Sequence, residues 1–158
     1  MLTAGHILDQ YGICDIRDGD DKSIGTSWTW SRPIPGRDLA ILDHVLWTQA
    51  AAALPTLDVE KSYRPTLGEP VLMATSVYGF HGLHVATGRV TTLDVPTSWW
   101  LGRDFQDASW GAVAADYADG LASAGAPVLD AGGRVMGVHL GLPRPADGIT
   151  VFLPISPP

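Results

Sequence analysis

Three short segments carry the residue types from which chemistry could be built. Leu2-Thr3-Ala4-Gly5-His6 ends on an imidazole, a side chain that takes up and returns a proton near neutral pH. Arg37-Asp38-Leu39-Ala40-Ile41-Leu42 sets a carboxylate at the mouth of an apolar run. Ala122-Ser123-Ala124-Gly125-Ala126-Pro127-Val128 is a turn of small residues, a backbone able to aim N–H groups at a developing negative charge. The run Gly133-Arg134-Val135-Met136-Gly137-Val138-His139-Leu140-Gly141 follows it. His6 and Asp38 lie 32 residues apart, and Asp38 and position 124 lie 86 apart.

In this order the segments resemble the signature blocks of the chymotrypsin/trypsin-like serine proteases. That family has Thr-Ala-(Ala/Gly)-His, then Asp-(Leu/Ile)-Ala-(Leu/Ile)-Leu, then Gly-x-Ser-Gly-(Gly/Ala)-Pro and a Gly-(Val/Ile)-Val-Gly-(Val/Ile) strand. The chain order His, Asp, Ser is that of chymotrypsin rather than of subtilisin or the α/β-hydrolases. The likeness runs from residue 2 to about residue 155, and segment 68–92 resembles the opening hairpin of the family's second barrel.

The resemblance implies acyl transfer, with His6 as general base and Asp38 fixing its tautomer and stabilising the imidazolium. It places the oxyanion hole at the amides of Ala122 and Ala124, and the primary specificity pocket along His139, Leu140 and Gly141. A histidine at the place of His139 goes with a preference for Glu or Gln in this family; a buried histidine satisfied within the barrel is the other reading, and both stand open.

One departure is decisive. Counted back from Pro127, the nucleophile position is 124, and it holds alanine. Ser123 stands one place early and is followed by Ala124, where the family's tight turn needs glycine. The chain as written is therefore expected to be inactive. Either a serine endopeptidase carries an engineered Ser-to-Ala substitution, or the chain is a natural pseudoprotease that binds peptides or proteins. The intact remainder of the blocks favours the first.

The elements that must position these residues read as β-strands. Eighteen Gly and twelve Pro break up the 158 residues, which favours many short strands. Strands are predicted at 11–17, 24–30 and 38–42, with a loop around Pro33, Pro35 and Gly36. Residues 45–54 (VLWTQAAAAL) are predicted as a short helix. Strands follow at 69–76, 83–93, 110–116, 125–130, 134–140 and 149–155, the rhythm of a small antiparallel barrel.

The expected fold is all-β, a trypsin-like double antiparallel β-barrel: residues 1–54 as the remainder of an N-terminal barrel carrying His6 and Asp38, 55–67 as linker, 68–158 as the C-terminal barrel. In the family about three strands precede the histidine block, so the first barrel is expected to be incomplete at its N-terminus. An N-terminal fragment of the same precursor, or a second copy, is the expected source of the missing strands.

Composition narrows the functions. Ten basic against seventeen acidic residues give a net charge of −7, which opposes binding to phosphate backbones, so no nucleic-acid partner is expected. No apolar run reaches the roughly 18 residues of a membrane span, so a soluble chain without a membrane partner is expected. Cys14 is the only cysteine, which excludes an intrachain disulfide and suits a reducing compartment such as the cytoplasm. The start MLTAGHIL shows neither basic leader nor cleavage site, but the compartment stays open. The Ala/Gly/Asp/Arg-rich, Lys-poor composition hints at a bacterial or phage genome.

His81 and His84 lack the further ligands a zinc site wants. His44 reads as structural or solvated. No metal or cofactor is expected, and the partner implied by the family is a peptide or protein substrate. The six tryptophans read mostly as core filler.

Overall fold

The computed structural model describes residues 1–7, 13–18, 20–28, 31–42, 45–48, 56–59, 63–75, 83–95, 113–117, 124–144 and 149–156. Among them the chain is all-β. The strands are β1 (Leu2–Ala4), β2 (Ile13–Arg17), β3 (Ser23–Trp28), β4 (Ser31–Pro33), β5 (Leu39–Leu42), β6 (Val45–Trp47), β7 (Pro70–Thr75), β8 (His84–Thr92), β9 (Val113–Tyr117), β10 (Pro127–Leu129), β11 (Val135–Arg144) and β12 (Ile149–Pro154). A single 3-10 turn, Gly5–Ile7, follows β1.

Strands β7 to β12 close into an antiparallel barrel in the order β10-β11-β12-β9-β8-β7. Its interior follows from alternation. In β7, Val71, Met73 and Thr75 are buried while Leu72 and Ala74 are partly exposed, as a period of two requires. Ala86 and Val90 of β8, Val113, Ala115 and Tyr117 of β9, and Phe152 of β12 fill the same core. A one-residue slip would turn each of these outward, so the buried face itself specifies the register.

The β10–β11 hairpin is closed by Asp130, whose carboxylate accepts the amides of Gly132 (2.8 Å) and Arg134 (2.9 Å) and the Arg134 Nε–H (2.8 Å). Those donors, the Arg134 amide foremost, hold the Asp130 pKa below the usual carboxylate range.

Among the described residues the N-terminal strands form two three-stranded sheets, β1-β5-β4 and β2-β3-β6, rather than a closed barrel. Ser31 pairs with Leu42 and Arg32 with Ile41 in one sheet, while Thr26 pairs with Leu46 and Gly25 with Trp47 in the other. Both ladders are antiparallel, and their registers differ by one residue. Beyond β1 and β2, no strand lies on the outer edge among the described residues. The first barrel is thus incomplete among the described residues.

Two predicted elements differ. Residues 45–47, predicted as the start of a helix, are strand β6, hydrogen-bonded to β3; residues 49–54 lie outside the described residues. The alanine run suggested helix, but Val45 and Trp47 are strand formers, and the unpaired side of β3 supplies a partner that local propensity does not register. Pro33, predicted as part of a loop, instead ends strand β4 (Ser31–Pro33), where it closes the pairing with β5.

Segment 56–59 is fastened to the barrel. The Val135 amide donates to the Asp58 carbonyl at 2.8 Å, and Val59 bridges Val135 in parallel. Nearby, the buried Tyr63 donates its hydroxyl to Glu69 at 3.1 Å.

A second core lies between the β1-β5-β4 sheet and the barrel. Ala4 and Leu39 from one side meet Val138, Leu140, Val151 and Leu153 from the other. In β12, Val151 and Leu153 face this contact while Phe152 faces the barrel interior. Among the described residues no helix is long and apolar enough to cross a membrane.

Candidate functional site

Pairing of β1 with β5 sets Leu2 against Ile41, Thr3 against Ala40 and Ala4 against Leu39. It brings the histidine block and the aspartate block side by side. Just beyond the ladder, the Gly5 amide donates to the Asp38 carbonyl at 3.0 Å. A Cβ on Gly5 would stand 2.9 Å from Asp38 Oδ1 and 3.3 Å from the Leu39 amide. Glycine at 5 therefore lets the Asp38 carboxylate lie against the backbone that leads into His6. Asp38 is buried, at 3% exposure. The backbone of His6 lies in the 3-10 turn; its side chain is outside the described part of the structure.

The small-residue turn comes to the same place from the barrel. Gly125 has φ +90°, and a Cβ there would fall 2.6 Å from Thr3 Oγ1 and 3.0 Å from Ile7 Cδ1. Both the dihedral and the space call for glycine. The half-buried Ala124 packs against the inter-sheet core together with Leu2, Ile7 and Ile34. Segment 1–7, Asp38 and turn 124–126 thus converge, although more than eighty residues separate Asp38 from the turn.

His139 anchors that turn through its backbone. The Gly125 amide donates to the His139 carbonyl and the His139 amide to the Ala126 carbonyl, both at 2.8 Å. Its side chain is fully buried, and its ring meets Tyr117 edge-on with centroids 6.2 Å apart. Leu140 is buried in the inter-sheet core, and at Gly141 nothing lies within 4 Å of where a Cβ would stand. Burial pushes the Tyr117 phenol up from its ordinary pKa.

Ala122 and Ser123 lie outside the described residues, as do His44 and His81. His84 is exposed at the start of β8. Among the described residues no three His, Cys, Asp or Glu side chains gather as a metal site would need. Two contributors were not singled out from the sequence: Thr3, which faces Gly125, and Arg37, which precedes Asp38 and reaches the second barrel. Only the neighbourhood of Asp38 in the chain signalled Arg37.

With this geometry in view, comparison with known proteins is informative. A family model described as a trypsin-like peptidase domain matches residues 1–138. The chain belongs to that family. Among solved structures, the trypsin-like chain is similar to the HtrA-type protease AlgW with a decapeptide, at 17% identity and a TM-score of 0.67 over 98% of this chain and 44% of that one.

A serine-to-alanine variant of AlgW, also with a decapeptide, matches at 18% identity with a TM-score of 0.65, over 97% of this chain and 43% of that one. A serine-to-alanine variant of Rv3671c from M. tuberculosis, in an inactive form, matches at 16% identity with a TM-score of 0.63, over 98% of this chain and 69% of that one. At these identities the likeness is one of fold. The chain spans less than half the length of the AlgW structures. No curated protein sequence matches it significantly.

Proposed function

We propose that this trypsin-like domain is the catalytic scaffold of a serine endopeptidase, inactive as written because Ala124 has no hydroxyl. His6 is the general base, Asp38 orients it, and position 124 is where the nucleophile belongs, with the amides of Ala122 and Ala124 as oxyanion donors. The observation that carries the reading is the convergence of the three blocks. Asp38 lies against Gly5, and Gly125 lies against Thr3 and Ile7, so both approach the segment that bears His6. In this reading residues 1–54 supply acid and base, 55–67 connect, and 68–158 supply nucleophile position and pocket.

The test is Ala124→Ser, assayed on a peptide library and with a serine-directed phosphonate. Cleavage and stoichiometric labelling are expected. A folded Ala124→Ser chain that neither cleaves nor labels refutes the enzyme reading.

The substrate side follows the same logic. An extended peptide would lie along β11 beside His139, Leu140 and Gly141, with the His139 imidazole favouring Glu or Gln at the cleaved position. Decapeptides accompany AlgW in the matching structures, which supports peptide binding as the class of interaction. Among the described residues no strand pairs with the outer edges of β1 and β2, and in this reading an N-terminal fragment of the same precursor or a second copy supplies further strands. Light scattering and mass spectrometry check this: a stable monomer with no co-purifying peptide refutes it.

A second reading, a natural pseudoprotease that holds peptides, is favoured by one observation. The Ala124 side chain already packs against an apolar cluster. The residue encoded at 124 in the native gene separates the two.

A further inference from the structure

Arg37 stands out as a buried cation directed away from its own sheet. It lies in the turn between β4 and β5, which is closed by hydrogen bonds from the Ile34 amide to Leu39 (2.8 Å) and from the Arg37 amide to Ile34 (3.1 Å). From there its guanidinium reaches the end of β12 in the other unit. Nη1 donates to the Ile155 carbonyl at 3.2 Å and Nη2 to the Pro154 carbonyl. The residue is only 7% exposed, and its burial lowers the guanidinium pKa. Burying a cation is costly unless the donors are used, and a planar fork is the group that can serve two adjacent carbonyls at once.

The receiving end is itself rigid. Pro154 pairs with Gly137 at the end of the β11–β12 ladder, and the Ile155 amide just beyond it donates to Met136 at 2.9 Å, so the backbone that carries both carbonyls is tied to β11. Two residues further along β11, His139 holds turn 125–126 by its backbone. Arg37 therefore joins Asp38, its neighbour in the chain, to the framework that carries position 124.

We propose that Arg37 is a positioning residue. Its guanidinium fixes Asp38, and through it His6, in the frame of the second barrel, so that the base and the nucleophile position keep their spacing across the contact between the two units. This rests on the triad reading above. Side-chain packing between Ala4, Leu39 and the β11–β12 face also belongs to that contact, and apolar packing resists separation better than sliding. Two hydrogen bonds from one planar group set a direction. Misplacement of a catalytic group by about 1 Å can cost on the order of 100-fold in rate.

The experiment compares Arg37, Arg37→Lys and Arg37→Met in the Ala124→Ser chain, with active sites counted by phosphonate titration. Arg37→Met is expected to lower kcat per titrated site by about 10- to 100-fold at unchanged KM. Arg37→Lys, which keeps the charge but not the fork, is expected to fall between and guards against failure of Arg37→Met to fold. Unchanged kcat per titrated site, with only the titratable fraction or the melting temperature reduced, overturns the proposal and leaves a purely structural tie.

A second measurement separates this from failure of the enzyme reading. In the unaltered Ala124 chain, the imidazole N–H proton of His6 is followed by NMR. Its loss or clear shift in the Arg37 variants supports positioning even if Ala124→Ser proves inactive. An unmoved resonance in folded variants refutes it.

Discussion

Gly125→Ala tests whether the two halves of the site meet where the structure places them. The backbone at 125 has φ +90°, and a left-handed conformation costs an L-residue roughly 1–2 kcal/mol. The added methyl would stand 2.6 Å from Thr3 Oγ1 and 3.0 Å from Ile7 Cδ1. The end of Ile7 can move aside, but Thr3 is buried in β1 at 6% exposure. Overpacking of this kind costs roughly 1–3 kcal/mol. Together the effects amount to roughly 2–5 kcal/mol against a typical stability of 5–15 kcal/mol.

At a urea m-value of about 2 kcal/mol/M, the midpoint should fall by about 1–2.5 M. A double-mutant cycle isolates the steric part. In a Thr3→Ala background the obstructing oxygen is gone, so Gly125→Ala should cost about 1–2 kcal/mol, the backbone part alone. In a Thr3→Ser background, which keeps the oxygen, the full cost should return. Urea titration followed by tryptophan fluorescence measures all arms. An additive cycle would mean that Thr3 and Gly125 do not touch, and the convergence of the blocks would lose its support.

Asp130→Ala should destabilise the chain by about 1–3 kcal/mol, since it strips the acceptor from the Gly132 and Arg134 amides and the Arg134 guanidinium. Because the folded pKa of Asp130 is depressed, that advantage is present above the unfolded carboxylate range. It should shrink as pH falls below about 4; a difference unchanged at pH 2 would contradict this. The Tyr117 hydroxyl is buried with no hydrogen-bond partner among the described residues, so Tyr117→Phe should be neutral within about 0.5 kcal/mol or stabilising.

The raised pKa of Tyr117 adds stability below its unfolded value that is lost as pH climbs above about 10, and the Phe variant should lose less there. Loss of alkaline stability equal in both proteins would assign that transition to other groups. In the Ala124→Ser chain, His139→Ala should reduce turnover of Glu and Gln substrates selectively, measured as kcat/KM across a peptide panel. Equal losses on every substrate would make His139 structural.

The sequence alone determined what turn spacing and short motifs encode. Residues 69–76 are a short run set off by Gly and Pro turn residues, so β7 was legible without its partners, and so were the other barrel strands to within a few residues. The blocks around His6, Asp38 and Gly125 were legible because each is local: a few residues of special size or charge, in a family order.

Contacts that depend on which distant backbone lies alongside were not legible. Residues 45–47 form a strand because β3 offers them hydrogen bonds, which outweighs the helical bias of the alanines that follow. The family order marks Gly125, but the close approach of Thr3 to it is a contact that no spacing rule supplies. Nothing near Arg37 in the sequence signals that its guanidinium donates to the carbonyls of Pro154 and Ile155. Side-chain type and period act over a few residues and can be read directly. The pairing of edges and the burial of a cation across more than a hundred residues exist only once the chain has closed.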